Sequence, residues 1–183
     1  MPPVAAQVPA LNGHHNRALL DALINSRIYR DYERAFGDLT GLPITLQSVE
    51  TWQLPHHGKR HENALCSLLA QKSSSCSACL QVQTHLCEQA ATEPHTITCP
   101  VGLSDSAVPV RMNDRLIGFL QIGQVFRKKP TDKQFKKVVK LAKDWGIEAD
   151  RATLKQAFYS GKTVTPKEHQ AATRPCIKAN NAF

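Results

Sequence analysis

Five of the six cysteines of this 183-residue chain fall between Cys66 and Cys99. Cys76 and Cys79 form a C-x-x-C pair inside "SSSCSACLQVQTHLC", which runs from Ser73 to Cys87. Thiolates ligate zinc and iron–sulfur clusters and exchange with disulfides, whereas buried thiols behave as small hydrophobes. A C-x-x-C pair one helical turn apart can reach a single tetrahedral metal, and a helix N-terminus lowers thiol pKa. Cys66 and Cys99 can supply two further ligands. The candidate metal set is therefore Cys66, Cys76, Cys79 and Cys99, for zinc or an iron–sulfur cluster. A thioredoxin-like redox role fits less well, because the pair follows a polar turn and not a strand.

Helical geometry separates these cysteines. On a helix over Ser75 to Ala91, at about 100° per residue, Cys76, Cys79 and Cys87 share one face with Leu80, Leu86, Ala90 and Ala91. At about 1.5 Å rise per residue, Cys87 lies about 16 Å from Cys76 and about 12 Å from Cys79 along the axis. Zinc–sulfur bonds of about 2.3 Å exclude it from their ion. Cys87 reads as core, and Cys176, beyond a proline, as unrelated.

Other chemistry is sparse. His56, His57 and His61 lie in "QLPHHGKRHE" and read as exposed loop residues, since no acid or cysteine is fixed at ligand spacing. Asp105 in "GLSDSAVP" is an acid without a placed catalytic partner. There is no G-x-S-x-G, P-loop or G-x-G-x-x-G. No catalytic constellation emerges, so the reading is not an enzyme.

The elements that must position these residues follow from periodicity. Residues 1–15 read as a loose leader. Asn16 to Leu39 carries apolar residues at helical steps, ending at Gly37 and Gly41. Ile44, Leu46 and Val49 predict a strand and the start of a return strand towards Trp52. Asn63 to Ala70 and Ser75 to Ala91 read as helices, and His95 to Cys99 as a strand. Val108, Val110 and Met112 alternate, Asn113-Asp114 can turn, and Arg115 to Val125 returns. Gly118 and Gly123 predict close backbone approach or a bulge, and Pro109 a locally exposed edge. Thr131 to Trp145 is an amphipathic helix, Arg151 to Tyr159 a short one, and "TPKE" a fresh start that barely begins before Pro175. The order predicts an α+β domain, a PAS/GAF-like antiparallel sheet with flanking helices.

Hydrophobic residues at 42% and charged ones at 21% place the chain among globular domains. The net charge is +8. Eight bases lie between Arg127 and Lys143, and they read as a solvated helix face before a nucleic-acid surface. No long apolar run predicts a membrane span, and the N-terminus does not read as a signal peptide, so the expected location is cytoplasmic. An even cysteine count allows disulfides, which a chain of this size does not need.

From Leu19 to about Gln124 the chain resembles the PocR sensory domain. The resemblance rests on Cys66 in "ALCSLL", Cys79 in "SACLQ", Cys99-Pro100-Val101-Gly102-Leu103, Pro109 in "AVPV", Gly118 in "LIGFL" and Gly123-Gln124-Val125. Cys76 and Cys87 are extras to that pattern. The resemblance implies a PAS-related fold that senses small hydrocarbon derivatives such as short alcohols or diols. It implies a place in bacterial signalling, ahead of an AraC-type helix-turn-helix region or within a histidine kinase. Cys66, Cys79, Cys99, Gly102 and Leu103 would then border the ligand. The expected organisation is a leader at 1–15, a sensory domain at 16–127, a helical linker at 128–174 and a tail at 175–183. Nothing after Arg174 resembles a helix-turn-helix, so DNA is a partner only through a reader supplied elsewhere. A homodimer is also allowed. The alternative is a cysteine-ligated metal or redox sensor.

Overall fold

The computed structural model describes residues 13–50 and 53–180, with side chains described for 17–50 and 53–174. Residues 1–12 of the expected leader, Trp52, the last three residues and the side chain of Cys176 lie outside that range.

The first helical stretch is two helices, α1 (Gly13–Ile24) and α2 (Arg27–Thr40), where periodicity alone reads one. The break has a local cause. Asn25 turns its side chain back to the Asp21 carbonyl, and Ser26, in an extended conformation, accepts from the Tyr29 amide and so caps a new helix. β1 (Ile44–Ser48) follows and the chain turns at Val49-Glu50, while Thr51 and Trp52 of the expected return strand lie outside the described residues. Next come α3 (Ala64–Leu69), α4 (Ser73–Gln89), β2 (His95–Thr98), β3 (Ser104–Met112) and β4 (Arg115–Val125). Asn113, at the expected hairpin turn, takes a positive φ of 54°.

The four strands form one antiparallel sheet in the order β1-β4-β3-β2. This is the α+β architecture expected from the order of elements. Pro109 sits in an interior strand, yet β2 pairs with β3 only as far as Ala107. Its missing N–H therefore falls beyond the β2 ladder, where a proline is tolerated.

α5 (Asp132–Asp144) starts at a capping box between Thr131 and Gln134. Its lysines are exposed, as a solvated face requires. α6 (Arg151–Tyr159) is capped by Asp150. α7 (Pro166–Asn180) begins at a Thr165/Glu168 capping box and continues through Pro175, past the early stop that proline suggested. α5 and α6 close over the same core as α3: Phe135, Val138, Leu154 and Phe158 pack with Leu65, Leu69 and Leu103. The segment expected to act as a linker is thus part of the packed body.

Candidate functional site

A cavity of about 60 Å³ lies where α3, α4 and one end of the sheet meet. α3 contributes Cys66 and Leu69, and α4 contributes Cys79, Val82 and Gln83. Cys99, Val101 and Leu103 line it from the β2–β3 connection. Asp105 of β3, Gln124 of β4 and Trp145 complete the wall, and the mouth is bordered by the loop before α3 through Pro55, His57 and Glu62. The volume suits water or a molecule of a few heavy atoms, roughly 30 Å³ being the share of one water in the liquid.

Asp105 is the centre of the polar arrangement. β3 and β4 slip register between Ser104 and Ser106, with the extra residue on β4. That bulge turns Gln124 to a φ of 59°, an uncommon state for a residue with a side chain. Three hydrogen bonds hold it there. The Gln124 amide donates to Asp105 Oδ1 at 2.8 Å, Asn63 Nδ2 donates to the Gln124 carbonyl at 3.1 Å, and the Asn63 amide donates to Gln124 Oε1 at 2.7 Å. Asn63 also caps α3 through Leu65. Gly123 is obligatory beside it, since a Cβ there would lie 2.0 Å from Asp105 Oδ1. Gly118 is constrained similarly by the Gln47 carbonyl, as close approach in the strand predicted.

The second carboxylate oxygen accepts from Gln83 Nε2 at 3.3 Å. Burial raises the Asp105 pKa to about 6, against the lowering effect of its hydrogen bonds to Gln124 and Gln83. His56 Nε2 lies 3.8 Å from Asp105 Oδ1, while His56 Nδ1 is 3.0 Å from Thr45 Oγ1. Burial, helped by Lys59, lowers the His56 pKa to about 3. The pair is therefore a neutral imidazole beside a carboxyl group, not an ion pair. His56 is 1% exposed, which corrects its placement on the surface: the loop folds under the sheet at that residue. His57 and His61 are exposed, as expected.

The sequence-selected residues divide. Cys66, Cys79, Cys99 and Leu103 all border the cavity. Gly102 does not; with φ at 95° it shapes the turn in which its amide donates to the Cys99 carbonyl and the Cys99 amide to the Leu103 carbonyl. Burial pushes the Cys66 thiol well up, Cys79 to about 11 and Cys99 to about 12. These are neutral thiols at neutral pH, poor nucleophiles and weak donors. Cys76 is turned aside and donates to the Ala70 carbonyl at 3.2 Å. Cys76 therefore does not border the cavity with Cys66, Cys79 and Cys99, and the four candidate cysteines are not gathered in one place. Among the described residues, no group of three or more His, Cys, Asp or Glu side chains is placed to hold a metal ion. Cys87 packs against the core and accepts from Gln121 Nε2 at 3.2 Å, consistent with its reading as core. The five cysteines with described side chains are all free thiols.

Asp105, His56, Gln83, Gln124 and Asn63 were not singled out as a site from the sequence. Asn63 before an apolar run is an N-cap signal, and Gly123-Gln124 in a strand marks a bulge. Neither reveals that both meet Asp105.

A small sheet flanked by helices thus encloses a cavity bordered by three thiols and by the carboxyl groups of Asp105 and Glu62. In comparison with known families, residues 22–180 match the family model described as the sensory domain found in PocR. The chain belongs to the PocR sensory-domain family. No curated protein and no solved structure matches it. Among the described residues no helix is long and apolar enough to cross a membrane.

Proposed function

We propose that the cavity between α3, α4 and the β3–β4 bulge receives a small polar hydrocarbon derivative, such as a short alcohol or diol. One observation carries this reading. A buried carboxyl, Asp105, faces a space lined mostly by thiol and apolar side chains beside Gln83, whose Oε1 is buried without a hydrogen-bond partner. An unpaired buried acceptor costs about 1–3 kcal/mol, which a ligand hydroxyl would recover. Cys66, Cys79, Cys99 and Leu103 supply the apolar wall, and Asp105 and Gln83 orient the hydroxyl.

In this reading the domain serves a bacterial transcriptional regulator or signalling protein, and the output passes through α7. Ser106, next to Asp105 but on the opposite sheet face, lies 3.4 Å from His169 Nε2 of α7. Phe126, two residues beyond Gln124, exchanges backbone hydrogen bonds with Lys162 and Val164 just ahead of α7. Ligand-driven movement of the bulge would therefore bear on both anchors of that helix. DNA contact belongs to a separate helix-turn-helix.

Thermal shift with millimolar short alcohols and diols tests the proposal. Wild type should be stabilised, and Asp105→Asn should lose at least half of that response while remaining folded. Absence of any stabilisation across the panel refutes it. Stoichiometric zinc, or iron–sulfur absorbance after anaerobic preparation, would instead favour the metal-sensor reading.

A further inference from the structure

α4 places Cys79, Gln83 and Cys87 at successive four-residue steps, so they form one line facing the sheet. Cys79 borders the small cavity. Cys87 borders a second space of about 320 Å³, farther along α4 and walled by Gln47, Leu116 and Phe119. Gln83 lines both. Each step is about 6 Å along the axis, so Gln83 stands midway between Cys79 at one volume and Cys87 at the other.

The side chain is poorly suited to a purely structural wall. Its Nε2 makes one long hydrogen bond, 3.3 Å to Asp105 Oδ2, and its Oε1 makes none although buried. A leucine would separate the volumes without an unpaired amide oxygen. A single long bond also leaves the side chain free to swing at little cost. We propose that Gln83 is the length-selecting partition of the ligand site. A short molecule ends against Gln83 and donates a hydrogen bond to its Oε1. A longer one must displace the amide from Asp105 and enter the second space. This inference rests on the ligand site proposed above, and its substrate class is a compact hydrocarbon carrying a terminal donor.

A series of linear α,ω-diols, from ethylene glycol to octanediol, tests it by thermal shift. Wild type should respond most to the shortest members. Gln83→Ala should move the optimum to longer members, and Gln83→Ser serves the same comparison should the alanine variant misfold. Gln83→Met, which keeps the length but not the amide, should retain the short optimum with a weaker response. Binding by Gln83→Ala with the wild-type ranking overturns the proposal.

A second arm needs no ligand. Cys79 is labelled with methyl and with butyl methanethiosulfonate, its sulfur forming the mixed disulfide as methanesulfinate leaves, and the products are read by mass spectrometry. Gln83→Ala should raise the butyl-to-methyl rate ratio at Cys79 several-fold. An unchanged ratio means that the partition does not exist. Should no diol stabilise wild type while the ratio rises, the chosen ligand class fails and the partition stands.

Discussion

On the sheet face covered by α1, α2 and α7, Ile44, Leu46, Val108, Leu120 and Ile122 pack with Leu20, Tyr29 and Phe36 in one apolar cluster. On the face under α4, the alternating residues are Thr45, Gln47, Ala107, Phe119 and Gln121, and the apolar cluster there is small. The contrast extends to hydrogen bonding. His56 Nε2, Gln83 Oε1 and Gln121 Oε1 are buried without partners, and all three belong to the α4 side. The first face holds the larger apolar cluster, although a groove of about 560 Å³ lies at its edge between α2 and the start of α7. The other keeps the thiol-lined cavity and the unpaired polar atoms, which lower stability and leave donors and acceptors for a guest.

The largest expected effect lies on the apolar face. Ile122 is fully buried, and Ile122→Ala should cost about 4 kcal/mol in urea denaturation, through lost burial and the void left behind. A loss below about 1 kcal/mol would mean that this face is not the stabilising one.

A smaller effect separates Asp105 from His56 by pH. Asp105 has a folded pKa raised to about 6, so its contribution to stability is full below about pH 4 and is lost as pH rises through 6. His56 has a folded pKa lowered to about 3, so its neutral form contributes fully above about pH 6.5, and that contribution is lost as pH falls towards 3. Between about pH 4 and 6 the two trends oppose in wild type. His56→Asn should therefore lose stability as pH rises across that window, and Asp105→Asn should gain it. Each change should be on the order of 2–3 kcal/mol. Parallel profiles in the two variants would show that the groups are not buried as described.

The smallest effect is the sharpest contrast with Ile122. Gln121, its neighbour in β4, is fully buried, yet its amide oxygen is unpaired and its nitrogen meets only a thiol. Gln121→Met should fall within about 1 kcal/mol of wild type, or be more stable, because the unpaired oxygen goes and only a weak bond to the Cys87 thiol is lost. A loss near that of Ile122→Ala would remove the distinction between the faces.

Legibility followed the range of the interactions. α4, α5 and the β3–β4 hairpin are readable because their signals are local: helical periodicity and Asn-Asp at a turn. The α1–α2 break was missed because a competing Ser cap hides inside an unbroken apolar pattern. His56 was misplaced because its loop composition is polar and only the fold buries it. Asp105 stands alone in the sequence, since its partners Gln83 and Gln124 approach from a helix and from a bulge. A bulge shifts register without altering composition.

The sequence by itself determined the shared helix face of Cys76, Cys79 and Cys87, the exclusion of Cys87 from any shared ion, and the set Cys66, Cys79 and Cys99 that the family pattern marks. Helix geometry and pattern suffice for those. Only the tertiary structure decided that Cys76 faces a carbonyl, that three thiols share one cavity, and that a buried carboxyl lies among them. Those outcomes depend on which elements pack together, and packing is settled by contacts between residues far apart in the chain.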